Sequence, residues 1–162
     1  MSIVKKIVVI CMLCCLGVNS ITVSAADERL GTIVDGSVLT EGLETTGKTP
    51  TTSVERGTYL SSGSGRLTIK GTHYVNVFGS TDCNRTCDQV KVTLHLQRLV
   101  GNTWRTIYTL GPKTAKNTSY VSNSKNYTIT GGYYYRVSGS HTAVKGSTTE
   151  STASYTDGLW ID

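Results

Sequence analysis

The run Val90, Val92, Leu94 and Leu96, interleaved with Lys91, Thr93, His95 and Gln97, constrains this chain more than any other feature. Successive side chains of an extended strand point to opposite faces, so a strict period of two predicts a strand with one wet face and one buried face. The same period recurs in Leu67 and Ile69, in Val75 and Val77, in Tyr127 and Ile129, and in Tyr133, Tyr135 and Val137. No window sustains a helical period between caps. The two prolines, Pro50 and Pro112, lie outside the candidate strands. Serine and threonine fill many polar positions, and β-branched threonine suits the wet face of a sheet. The pattern predicts an all-β domain with little or no helix.

Turn chemistry divides the strands. Gly101-Asn102 separates the Val90 strand from a second one over residues 104–110, which is a hairpin signal. Gly131-Gly132 marks a second hairpin candidate, and Gly111-Pro112 is expected to end the strand that begins at Trp104. Seven to eight short strands over residues 57–162 predict an antiparallel two-sheet sandwich of immunoglobulin-like type, with a small closed β-barrel as the alternative. The inward parity selects a core of Leu67, Ile69, Val75, Val77, Val90, Val92, Leu94, Leu96, Tyr127, Ile129, Tyr133, Tyr135 and Val137.

The beginning of the chain has another character. Lys5 and Lys6 precede an apolar run over residues 7–18, and the small residues Val23-Ser24-Ala25-Ala26 precede Asp27. This is the layout of a cleavable secretory signal peptide over residues 1–26. The apolar run is too short for a membrane span, which needs about 20 residues. Lipidation is disfavoured because Leu13, not a small residue, stands before Cys14. The expected mature protein is secreted, soluble and without a transmembrane segment. Of five cysteines only Cys83 and Cys87 remain after residue 26, and in an oxidising compartment such a pair predicts a disulfide. It would close a five-residue loop and contribute about 2 kcal/mol. A metal site would need further ligands, and none is expected.

Charge is divided along the chain. Residues 27–55 carry six acids (Asp27, Glu28, Asp35, Glu41, Glu44, Glu55) against Arg29 and Lys48, a net −4. Residues 56–162 carry twelve bases against five acids, a net +7. Glycines at 31, 36, 42 and 47 and the polar stretch 45–53 predict a flexible acidic leader and linker over residues 27–56, ahead of a domain over residues 57–162. One patch, Ile33-Val34 with Val38-Leu39, is apolar enough to dock as a short strand. The acidic segment can also fold back onto the basic domain and reduce its field. The basic domain points to anionic partners such as wall polymers, acidic glycans or lipid headgroups.

Several phrases resemble a family of small secreted proteins of unknown function from Gram-positive bacteria. They are Ala25-Ala26-Asp27-Glu28-Arg29, Thr81-Asp82-Cys83-Asn84-Arg85-Thr86-Cys87-Asp88, Gly132-Tyr133-Tyr134-Tyr135-Arg136-Val137 with Gly139, Ser140, His141 and Thr142, and Tyr155-Thr156-Asp157-Gly158. The resemblance implies a secreted β-rich domain and supplies no activity, cofactor or functional residue.

No motif of catalysis stands in the chain. There is no G-x-S-x-G elbow and no H-E-x-x-H helix. Ser61-Ser62-Gly63-Ser64-Gly65 lacks the lysine and helix of a phosphate loop. Paired carboxylates for glycoside hydrolysis are not evident among the five acids of the basic domain. His95 has outward parity, His73 begins a strand, and His141 shares the parity of Tyr135 and Val137, which predicts a buried, hydrogen-bonded side chain. If the Val90 and Tyr133 strands are neighbours, then Lys91, His95 and Gln97 share an outward face with Tyr134 and Arg136. An exposed aromatic among cations can stack on a sugar ring or receive a peptide. The expectation is a non-enzymatic binding module, without cofactor, for a glycan, an anionic wall polymer or a protein. The alternative is a secreted antimicrobial or membrane-active effector whose acidic leader is a pro-segment. Nucleic acid is not expected, because charge without a recognition helix or stacking platform is no footprint.

Overall fold

A computed structural model describes residues 28–48 and 57–162. The expected signal peptide and part of the linker lie outside the described residues. The described residues form nine strands and no helix: β1 (Ile33–Val34), β2 (Ser37–Thr40), β3 (Glu44–Lys48), β4 (Leu60–Gly71), β5 (Tyr74–Val100), β6 (Thr103–Thr128), β7 (Tyr133–Lys145), β8 (Thr148–Tyr155) and β9 (Gly158–Ile161). The all-β expectation holds. The two-sheet antiparallel sandwich does not. The strands make one sheet in the order β1-β2-β9-β7-β5-β4-β3, with β6 paired to β5 and β8 to β7. The sheet is mixed, because β2 runs parallel to β9, and it curls into a half-barrel, short of the closed barrel held as the alternative.

The reason lies in β5. At 27 residues it is long enough to serve both halves of the sheet. One side pairs with β6 along nearly its whole length. The other side pairs with β4 from Tyr74 to Cys83 and with β7 from Gln89 to Arg98. Between Asp82 and Cys87 the register shifts, so β5 bends there without ending. Its two halves then face each other. A Cβ added at Gly79 would lie 2.5 Å from Leu94 Cδ2, so only a glycine lets the halves approach this closely. Gly111-Pro112 is also absorbed. The expected stop becomes a register shift between Val92 and Leu94 within β5–β6, on a strand with β5 as its only partner among the described residues. An edge strand tolerates the missing proline N–H.

The core sits between the curled halves. Eleven of the thirteen expected core residues are buried, while Ile69 and Tyr133 pack against the core partly exposed. Gly101-Asn102 forms the expected two-residue hairpin, with Val100 opposite Thr103. Gly131-Gly132 does not. The strands it joins pair with opposite sides of β5, so the glycines carry a crossover.

The largest departure concerns the expected flexible leader. Its described part, residues 28–48, holds β1, β2 and β3. β2 extends the sheet beside β9, and β3 extends the opposite end beside β4. One acidic segment therefore spans both ends of the half-barrel. The apolar patch around Val38-Leu39 is what seats it: Leu39 is fully buried against Leu99, Trp104 and Tyr134.

Candidate functional site

β5 and β7 are neighbours, the condition on which the shared-face reading rested, with Gln97 opposite Arg136, His95 opposite Ser138 and Lys91 opposite Thr142. The face they were expected to offer is nevertheless divided. Lys91, His95 and Gln97 are half-buried. His95 Nδ1 lies 3.0 Å from Thr109 Oγ1, and Gln97 Nε2 donates to Thr106 Oγ1 at 3.3 Å. Tyr134 and Arg136 are each only 2% exposed, so the exposed aromatic among cations is not there.

What covers them is the β1–β2 hairpin. Asp35 and Gly36 both take positive φ, 48° and 78°, between Val34 and Ser37. This is the two-residue turn for which Asp-Gly is favoured. Its tip meets the Arg136 guanidinium. Nη2 donates to Asp35 Oδ2 at 2.8 Å, Nη1 to the Asp35 carbonyl and Ser37 Oγ at 2.9 Å each, and Nε to Gln97 Oε1 at 2.8 Å. Four of its five N–H groups are thus matched. The cation also lies 4.6 Å from the Trp104 ring and 4.9 Å from the Tyr155 ring. Burial pulls the guanidinium below its ordinary value, and the Asp35 carboxylate opposes that pull. Tyr134 packs edge-on against Trp160 with centroids 5.0 Å apart. Sequence parity placed both residues outward correctly; it could not show that another part of the chain lies on that side.

A second arrangement is open to solvent. Arg98, Ile107, Tyr108, Thr128, Ile129, Thr130 and Tyr135 line a cleft of ≈ 360 Å³. Tyr108, 41% exposed, stacks on Tyr127 with centroids 4.5 Å apart, and Lys125 Nζ lies 5.4 Å over the Tyr127 ring. The Tyr108 hydroxyl donates to the Thr128 carbonyl at 3.3 Å. Arg98 lies 4.5 Å over the Tyr133 ring, and its Nε is buried with no hydrogen-bond partner. An orphaned donor of this kind wants an acceptor. Burial raises the Tyr135 phenol above its ordinary value, with Arg98 opposing. Sequence reasoning missed this cleft. The available signal was Arg98 itself, a cation at the next inward-parity position after Leu96.

A third cluster has the parts of a nucleophile and base. His141 Nε2 is 2.8 Å from Ser154 Oγ, and Nδ1 is 2.9 Å from Thr81 Oγ1. The Thr81 hydroxyl donates its one proton to the Lys91 carbonyl at 2.9 Å. Nδ1 must therefore carry the ring proton, and Nε2 accepts from Ser154. All three side chains are fully buried at 0% exposure. As arranged they form a buried hydrogen-bond chain from Ser154 through His141 and Thr81 to the Lys91 carbonyl. Burial lowers the His141 pKa to about 4, so the ring is neutral at pH 7.

The expected Cys83–Cys87 disulfide is not present in the structure, where both cysteines are free thiols. The register shift of β5 separates their roles. Cys87 packs into the core and donates to the Arg85 carbonyl at 3.4 Å, while Cys83 stays half-buried opposite Leu60. The bend is held by other means. Asn84 N donates to the Tyr59 carbonyl at 2.7 Å, and the Glu150 carboxylate accepts from the amides of Thr58, Tyr59 and Leu60 at 2.8, 2.9 and 2.7 Å. Among the described residues no group of three or more His, Cys, Asp or Glu stands together as a metal site. No helix among them is long and apolar enough to cross a membrane.

A model described as a family of unknown function (DUF6147) matches residues 24–158. No curated protein and no solved structure matches the chain. The match covers most of the chain, including Arg98, Tyr108, Arg136 and His141, and the chain belongs to that family.

Proposed function

We propose that this member of the DUF6147 family is an exported, non-enzymatic binding protein whose ligand sits in the Arg98–Tyr108 cleft. The ligand class is an oxygen-rich glycan or anionic wall polymer. The observation that carries this reading is the orphaned Arg98 Nε in the same cleft as exposed Tyr108, which stacks on buried Tyr127. A sugar ring offers an apolar face for Tyr108 and hydroxyl or carboxylate oxygens for Arg98. The cleft volume falls within the range of small-ligand sites. Export is supported by the charged, apolar and small-residue layout of residues 1–26.

The test is retention of the mature protein on isolated cell wall and on glycan arrays at two salt concentrations. Tyr108→Ala and Arg98→Gln should each weaken retention by roughly tenfold, the scale of one lost stacking or charge-assisted contact. Tyr108→Ala should leave the melting temperature nearly unchanged, because that ring is 41% exposed. Undiminished retention of both variants would refute the site. Amino-terminal sequencing of protein recovered from the medium tests export, with a start at Asp27 expected.

The effector reading, in which the acidic segment is a removable pro-segment, has less support. Removing residues 28–48 would uncover Leu39's partners and strip Arg136 of the Asp35 and Ser37 acceptors. A buried cation left in that state is strongly destabilising.

A further inference from the structure

The Arg136 groove has an occupant whose chemistry is fully specified. Arg136, Trp104, Tyr134 and Tyr155 receive a tight Asp-Gly turn carrying one carboxylate, one carbonyl and one serine hydroxyl. The hairpin that supplies them is largely self-contained. Gly31 N donates to the Leu39 carbonyl at 2.7 Å, and Leu39 N to the Thr32 carbonyl at 2.8 Å. Its backbone ladder to the rest of the sheet is short, two register pairs with β9. Side chains do the rest: Trp104 Nε1 donates to the Val34 carbonyl at 3.0 Å, and Val38 N to Asp157 Oδ1 at 2.9 Å.

The chain beyond the hairpin is anchored separately. β3 is held to β4 by five register pairs. Between β2 and β3 lie Glu41, Gly42 and Leu43, all exposed. Gly42 takes φ 141°, and a Cβ added there would meet nothing within 4 Å. Leu43 already belongs to the anchored side, since its carbonyl accepts from Ile69 N at 2.8 Å, so the hinge between the two seated elements is Glu41–Gly42.

We propose that the groove accepts the same hairpin from a second copy of this chain, so that the protein forms a hairpin-exchanged dimer through the Gly42 hinge. The contacts made across the groove are identical whether the hairpin comes from its own chain or from a neighbour. Exchange therefore turns on the hinge and on concentration, not on new recognition. The site is independent of the Arg98–Tyr108 cleft.

Complementation tests this. Asp35→Asn spoils the hairpin tip and keeps the groove, whereas Arg136→Met spoils the groove and keeps the tip. Each full-length mature variant alone should be less stable than wild type. After equilibration of an equimolar mixture, light scattering coupled to size exclusion should show dimer at least tenfold above its level in either variant alone, because only the mixture can form a native joint. A mixture that stays as monomeric as its components would overturn the proposal. Should Arg136→Met fail to fold, a labelled peptide of residues 28–40 is titrated onto the Asp35→Asn chain, beside a second peptide that itself carries Asp35→Asn. Saturable binding of the first peptide, at least tenfold tighter than that of the second, supports exchange. Absence of binding, or equal binding by both peptides, overturns it.

Discussion

Acid should destabilise this protein through His141 before its carboxylates begin to titrate. The ring is fully buried between Thr81 and Ser154, and burial lowers its pKa from 6.5 to about 4. The folded value lies below the unfolded one, so between the two the unfolded chain binds the extra proton. Unfolding free energy is therefore complete above pH 6.5, falls as the pH drops, and has lost the whole contribution near pH 4. A shift of that size corresponds to roughly 3 kcal/mol, a large part of a total of about 5–15 kcal/mol. Ser154 opposes protonation structurally, whereas Thr81 accepts from Nδ1 in either state. Nε2 would become a donor facing a serine hydroxyl that must then turn its proton away. The assay is urea unfolding at intervals between pH 7 and pH 4, with His141→Gln as the control. The glutamine amide can bond Thr81 and Ser154 but cannot titrate. The wild-type midpoint should fall steeply from pH 6.5 to 5, where the variant stays nearly flat. Parallel curves for the two proteins would refute the assignment of His141 as the buried neutral base.

Three further outcomes follow from the packing. Gly63→Ala should cost about 1–3 kcal/mol, an overpacking penalty, because the added Cβ would stand 2.1 Å from His141 Cδ2; a melting temperature within a degree of wild type would contradict that contact. Glu150→Gln should cost about 1.5–3 kcal/mol, the scale of hydrogen bonds to a charged group, and should speed amide exchange at Thr58, Tyr59 and Leu60, since that carboxylate holds all three amides. Cys83 should react with a disulfide reagent at pH 8 far more slowly than free cysteine, because burial and the neighbouring Cys87 push its thiol up to about 12; reaction at the rate of free cysteine would show that the thiol is not held this way.

The alternation rule made the core legible. Val90, Val92, Leu94 and Leu96 are buried as their parity requires, whereas the β5–β7 pairing was only a supposition that alternation could not supply. The sheet's shape was not legible, because it depends on interruptions that sequence reads as stops. Gly111-Pro112 and the 83–87 segment fall inside strands as register shifts, and a strand that bends can serve both halves of one sheet. The acidic segment was misjudged for a related reason. Its four glycines and few apolar residues cannot build a core alone, yet Leu39 needs only a pocket made by Leu99, Trp104 and Tyr134. Long-range burial of one leucine outweighs local composition. The expected Tyr134–Arg136 face was thus correct in direction and wrong in exposure. Cleft residues Arg98 and Tyr108 come together from β5 and β6, and a single arginine at an inward position was the only local sign of it.

The acidic segment is a seated part of the sheet, and it closes the Arg136 face. Hydrogen exchange of the protein, read at the Val38 amide, is the sharpest check, because that amide donates to Asp157 across the join. Strong protection is expected in wild type, and it should be lost in Arg136→Met while the β5 amides stay protected. Exchange of Val38 at the unprotected rate in wild type would mean that the segment is not seated there.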